Sequence, residues 1–196
     1  MATWIRGVGS DEEVGILAQQ LLGQLFKSDF TATAESWDAA RVLVSAPRSP
    51  NLPKILWWFV TGKVRRAKRL LAGKVDKDLS AVNAIGIAVH NVVKGFRRMR
   101  VLYADVGMRS TLSAEAAASQ CLFAPVSVYR QATGPGKIED CPFPKNSLFV
   151  LNIGEASRME DGHTLVFMEE SWSRCPASLW VPALLEGVWK RAIARQ

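Results

Sequence analysis

Cysteine, histidine and tyrosine are scarce in this chain of 196 residues, which has three, two and two of them. Cys121, Cys141 and Cys175 form no CxxC pair, which excludes a zinc ribbon and argues against a disulfide framework. His90 and His163 supply too few nitrogens for a four-ligand metal site without scattered help from other residues. No metal and no cofactor are expected. A glycine-rich phosphate loop is also missing, because ATGPGK at 132–137 lacks the full spacing and the Ser or Thr after Lys137.

Long apolar runs are lacking too. The longest uncharged stretch resembling a membrane span is LSAVNAIGIAVHNVV, 79–93, with two asparagines and a histidine. A bilayer crossing needs about 20 mostly apolar residues, so this run is too short and too polar. The opening MATWIRGVGSDEEVG has no apolar core of a secretion signal, and its early acids argue against an organellar presequence. With sparse thiols, the expectation is a cytoplasmic protein.

The most informative absence is of negative charge. No Asp or Glu occurs between Asp38 and Asp76. Residues 41–100 hold fourteen Lys and Arg against two acids, a net +12, while the rest of the chain holds eleven against sixteen, a net −5. All of the positive excess of +7 therefore sits in under a third of the chain. A basic surface raises the local concentration of anions such as phosphates or acidic lipids.

Along the chain, Ser10 caps an expected helix over 10–27, with Asp11, Glu12 and Glu13 in its first turn, where the helix dipole favours acids. Its stripe of Val14, Leu17, Leu21, Leu22 and Leu25 is expected to face the core. Residues 35–45 read as a helix or, over RVLVS, a strand. APRSPNLP at 46–53 carries three prolines and suggests a subdomain junction within a single domain, 1–196.

KILWWFVTGKVRRAKRLLAGK, 54–74, then reads as one amphipathic helix, with Asn51 as cap, Pro53 in the first turn and Gly73 at its end. Projected at about 100° per residue, Leu56, Phe59, Val60, Val64, Ala67, Leu70 and Leu71 share an arc, and Trp58, Arg65, Lys68 and Arg69 the opposite one. Lys63 lands within the apolar arc. A helix capped by Asp78 is expected over 79–94, stopped by Gly95, with Val82, Ile85, Val89, Val92 and Val93 on one face. FRRMRVLYADV, 96–106, is rich in β-branched and aromatic residues and predicts a strand.

In the second half, TLSAEAAASQC predicts a short helix with Ser113 or Thr111 as cap, FAPVSVYRQ a strand, and ATGPGKIEDCPFPKN a long loop. SLFVLNIG and HTLVFMEE read as a hairpin around EDG, and Pro182 as the start of a last helix over 182–195. The fold class is therefore α+β: a helical N-terminal half packed on a small, mostly antiparallel sheet, closed by a C-terminal helix.

The function this predicts is a non-enzymatic binding or assembly subunit that contacts an anionic partner, nucleic acid or an acidic protein. The expected contact set is Trp58, Lys63, Arg65, Arg66, Lys68, Arg69, Lys94, Arg97, Arg98 and Arg100, acting through counterion release with stacking by Trp58. Three rivals use the same sequence differently. One is peripheral attachment to an anionic membrane surface, with Trp57, Trp58 and Phe59 as wedge. Another is a small cytosolic enzyme with a pocket between helices and sheet, using His90, Asp105 or Cys175. The third is a structural subunit of a larger protein assembly, its tryptophans and arginines buried against other chains. A solvated basic face without a partner is the plain alternative to all of them.

Overall fold

The computed structural model describes residues 1–45, 52–122, 128–153, 167 and 175–194. The chain divides into two compact units, Met1–Cys121 with Ala183–Gln196, and Leu122–Pro182. The first is helical and the second holds the described strands, which makes the fold α+β. The proline-rich stretch 46–53 lies mostly outside the described residues.

The helical unit contains α1 (Ala2–Ile5), α2 (Asp11–Gln24), α3 (Ala34–Ser45), α4 (Leu52–Val60), α5 (Lys63–Lys74), α6 (Leu79–Asn83), α7 (Val89–Ala104), α8 (Val106–Thr111) and α9 (Ala114–Gln120). The last helix, α10, runs over Val181–Ile193. The local signals that set the helix starts are met. Ser10 and Glu13 form a reciprocal capping box on α2, Asp78 accepts from the Ser80 and Ala81 amides, and Ser113 accepts from the Ala116 amide.

α2 turns a different face inward from the expected one. Val14, Gly15, Ala18, Gln19, Leu22 and Gly23 are buried, whereas Leu17, Leu21 and Leu25 are exposed. The reason is close packing of aromatics on glycine: a Cβ on Gly15 would collide with the Trp37 ring, and one on Gly23 with the Phe30 ring. Ring area laid flat on bare backbone replaces the leucine stripe as the seam.

The segment 79–104 corrects two expectations. Gly95 does not stop the helix, and 96–106 is not a strand. α6 passes through a π-helical turn, Ala84–Ala88, into α7, which continues to Ala104. Phe96, Met99, Leu102 and Tyr103 follow helical spacing and are all buried, so tertiary burial overrides the strand propensity of the side chains. Gly95 is there for close approach instead, since a Cβ would sit 2.8 Å from the Cys121 carbonyl oxygen at the end of α9. The combined helix, Leu79–Ala104, is 26 residues long and meets the length and composition of a membrane span, with half of its most apolar window buried inside the protein. Ile85, Val89, Phe96 and Met99 make it the axis of the helical core.

The π-helical turn is held by a buried polar pair. Gln19 Nε2 donates to the Ile85 carbonyl at 2.9 Å and to the Ser36 carbonyl at 3.0 Å, while Ser36 Oγ lies 2.6 Å from Gln19 Oε1. A π-turn perturbs the regular ladder of carbonyls, and Gln19 satisfies one of them where water has no access.

In the second unit, β1 (Val128–Gln131) pairs antiparallel with β4 (Leu148–Leu151). The expected loop between them contains a hairpin, β2 (Gly136–Ile138) with β3 (Cys141–Phe143). Glu139 takes a positive φ of 51° at its turn, and Lys137 pairs with Asp140 at 2.8 Å. Phe143 meets Phe149 edge-on at 4.9 Å, packing the short hairpin against β4. The partner of β4 among the described residues is thus β1, not the expected strand 163–170. That stretch falls outside the described residues except for Phe167, which is helical instead of extended and is buried, and whose carbonyl accepts a hydrogen bond from the Cys175 amide at 2.7 Å.

Candidate functional site

The stretch 54–74 is two helices, not one. α4 ends where the Thr61 amide and Oγ1 both donate to the Trp57 carbonyl, at 2.9 and 2.7 Å. Gly62 then takes the left-handed conformation, φ 65°, and serves as the N-cap of α5. That conformation costs an ordinary residue roughly 1 kcal/mol, so glycine is the natural hinge residue there. Arg66 donates back to the Thr61 carbonyl at 2.7 Å, fixing the corner.

The break resets the helical phase, with two consequences. On α5, Ala67 and Leu71 are buried, and Lys63, Arg65, Arg66, Lys68 and Arg69 are all exposed. None of these five forms an ion pair among the described residues. On α4, Leu56 and Val60 do not join the core as a continuous helix would require; they are 66% and 74% exposed, and Trp57 is 66% exposed beside them. Trp58 is half-buried, with Lys63 Nζ 5.4 Å from its ring centroid. The Phe59 side chain falls outside the described residues.

A cleft of about 630 Å³ lies between α3, α4 and α5, with Glu35, Asp38, Trp57, Trp58, Lys63 and Arg66 among its walls. Asp38 is occupied by Arg41 at 3.1 Å. The cleft thus combines aromatic walls with charges of both signs at the foot of the basic helix.

The α7 members of the expected contact set go elsewhere. Arg97 pairs with Asp11 at the start of α2, at 2.9 Å. Arg100 lies over the Trp4 ring at 4.7 Å and donates to the Gly7 carbonyl at 3.3 Å. Arg98 lies near Cys121, and Lys94 is exposed. The ten residues therefore fall into an α4–α5 group and an α7 group, and two members of the latter are tied to α1 and α2.

His90 and Asp105, both in the helical unit, do not converge. His90 stacks on Trp37 with centroids 4.8 Å apart, and Asp105 caps α8 by accepting from the Met108 amide. These two stand at opposite ends of α7, about 22 Å apart at 1.5 Å per residue. Cys175 belongs to the other unit and precedes a short 3₁₀ turn, Pro176–Leu179. The thiol that burial does perturb is Cys121, pushed up to about 12 against a weaker opposing pull from Arg98. Among the described residues no three His, Cys, Asp or Glu side chains gather as a metal site would need.

Sequence reasoning missed the exposed apolar face of α4. The signal was present in Thr61-Gly62, a residue able to cap backward followed by one free to take positive φ. Comparison of the chain with protein-family models, curated proteins and solved structures gives no match.

Proposed function

We propose that this chain is a cytosolic binding protein that docks on a polyanionic partner through α5. The observation that carries this reading is the run of five exposed cations between Lys63 and Arg69, with no ion pair to any described residue. An exposed helix ordinarily intersperses both signs, and here no acid follows until Asp76. Nucleic acid, an acidic protein segment or an anionic lipid surface can supply the matching charge, and displacement of condensed counterions supplies much of the free energy when the partner is a nucleic acid. Arg65 and Arg69, one turn apart and opposite Ala67 and Leu71, form the centre of the contact.

The test is binding of the full chain to heparin and to a labelled single strand over a salt series. Affinity falls steeply as salt rises, and the Arg65→Glu/Arg69→Glu variant binds at least about tenfold more weakly with its circular dichroism unchanged. Binding to neither ligand at low salt, or equal binding by the variant, defeats the proposal.

A further inference from the structure

We infer that the anionic partner is a lipid surface, and that α4 is a wedge entering it beside the cations of α5. This inference rests on the α5 reading and adds the identity of the partner. Pro53, Leu56, Trp57 and Val60 are all exposed. Their i, i+3, i+4, i+7 spacing places them within about 100° of one another on the helix. Soluble proteins bury such a stripe, and a contiguous exposed one marks a contact surface.

Charge selects the occupant. The apolar face of α4 leads through the two-residue corner Thr61-Gly62 into Lys63, Arg65, Arg66, Lys68 and Arg69. No acid lies in the sequence from Ala39 to Val75. Of the two acids that line the neighbouring cleft, Glu35 and Asp38, the second is neutralised by Arg41, so the five cations outnumber the acids beside them. An apolar face with an indole, flanked by unpaired cations, matches the two layers of a bilayer interface: headgroup phosphates outside, the acyl boundary beneath. A nucleic acid satisfies the cations and stacks on one tryptophan, but it offers nothing to Leu56 and Val60. An acidic peptide covers the apolar stripe only if it also carries apolar side chains at matching spacing, whereas an anionic lipid surface offers both layers by composition.

Four residues on one short helix provide a shallow anchor, so attachment is reversible and depends on anionic headgroups. The experiment compares flotation of the full chain with phosphatidylcholine vesicles and with vesicles containing phosphatidylserine, alongside heparin binding, for wild type, Val60→Asp and Trp57→Phe. Val60 is a surface position, so its variant folds, and an unchanged circular dichroism spectrum checks this. The expected result is flotation only with phosphatidylserine, at least about tenfold weaker in Val60→Asp, with heparin binding retained. Brominated lipid is expected to quench wild-type fluorescence more than that of Trp57→Phe. Binding to heparin or to a single strand with no flotation overturns the lipid assignment and leaves the α5 reading standing. Flotation of Val60→Asp at the wild-type level overturns the wedge. Absence of binding to heparin, strand and vesicle alike removes both.

Discussion

α5 and α7 are both basic in sequence and differ in what they do with the charge. α5 is a peripheral helix that buries only Ala67 and Leu71. Lys63 and Arg66 brace its own corner, on Trp58 and the Thr61 carbonyl, and Arg65, Lys68 and Arg69 are exposed with no ion pair among the described residues. α7 buries eight residues, and two of its three arginines are used on the protein itself, Arg97 on Asp11 and Arg100 on Trp4 and the Gly7 carbonyl. A cation available to a partner and a cation that trims an internal seam are the same letter in the sequence. What separates them is whether the opposite helix face is the centre of a core. By this difference α7 serves the architecture, while α5 leaves cations at the surface for the proposed contact.

The largest effect is expected at the α7 seam. Gly95→Val puts a branched side chain where even a Cβ would be 2.8 Å from the Cys121 carbonyl oxygen. Backbone cannot yield as a flexible side chain does, so the variant should lose about 3 kcal/mol in urea unfolding. Gly73→Val on α5, where nothing lies within 4 Å of the Cβ, should leave stability unchanged or raise it by about 0.3 kcal/mol, since valine has the higher helix propensity. Equal losses would break the division between the two helices.

Gln19→Leu comes next. It removes the donor to the Ile85 and Ser36 carbonyls in a site with no exposure, and should cost about 2 kcal/mol. Its strongest local readout is faster hydrogen exchange around 84–90. A variant as stable as wild type would mean that the π-helical turn needs no support from α2.

The Cys121 thiol tests the same core by pH. Burial raises its pKa from 9.0 to about 12, so the unfolded chain releases this proton first and the folded state binds more protons between those values. The associated stability is complete below pH 9.0 and is lost as pH climbs toward about 12. Cys121→Ala should flatten this part of the stability curve. Iodoacetamide should label exposed Cys141 in the native protein well before Cys121.

How much of this was legible depended on how local the cause was. The caps at Ser10, Asp78 and Ser113 were readable because the bonds span two or three residues. The strand expected over 96–106 failed because Phe96, Met99 and Tyr103 obey a helical period that only the core rewards. The buried face of α2 was misplaced by about a quarter turn, with Val14 and Leu22 buried as expected but Leu17, Leu21 and Leu25 exposed, because nothing local says that Trp37 and Phe30 will lie on Gly15 and Gly23. The candidate site was legible in composition but not in geometry. The Thr61-Gly62 corner shifts the phase by enough to move Leu56 and Val60 from the core to the surface, and the long-range partners of Arg97 and Arg100 lie far away in the chain.

The smallest expected effect bears most directly on the comparison. Arg97→Gln breaks an ion pair whose two side chains are 53% and 58% exposed. Such pairs contribute about 0.2–1 kcal/mol, and Asp11 remains favoured by the α2 dipole without its partner, so the loss should fall near the low end, around 0.3 kcal/mol. Arg69→Gln has no ion pair to lose and should leave stability unchanged within error. In heparin binding the order should reverse, with Arg69→Gln weakened and Arg97→Gln close to wild type. The two substitutions remove the same charge, so a global electrostatic effect would weaken both equally. Only a division between internal and outward-facing cations yields opposite rankings in the two measurements.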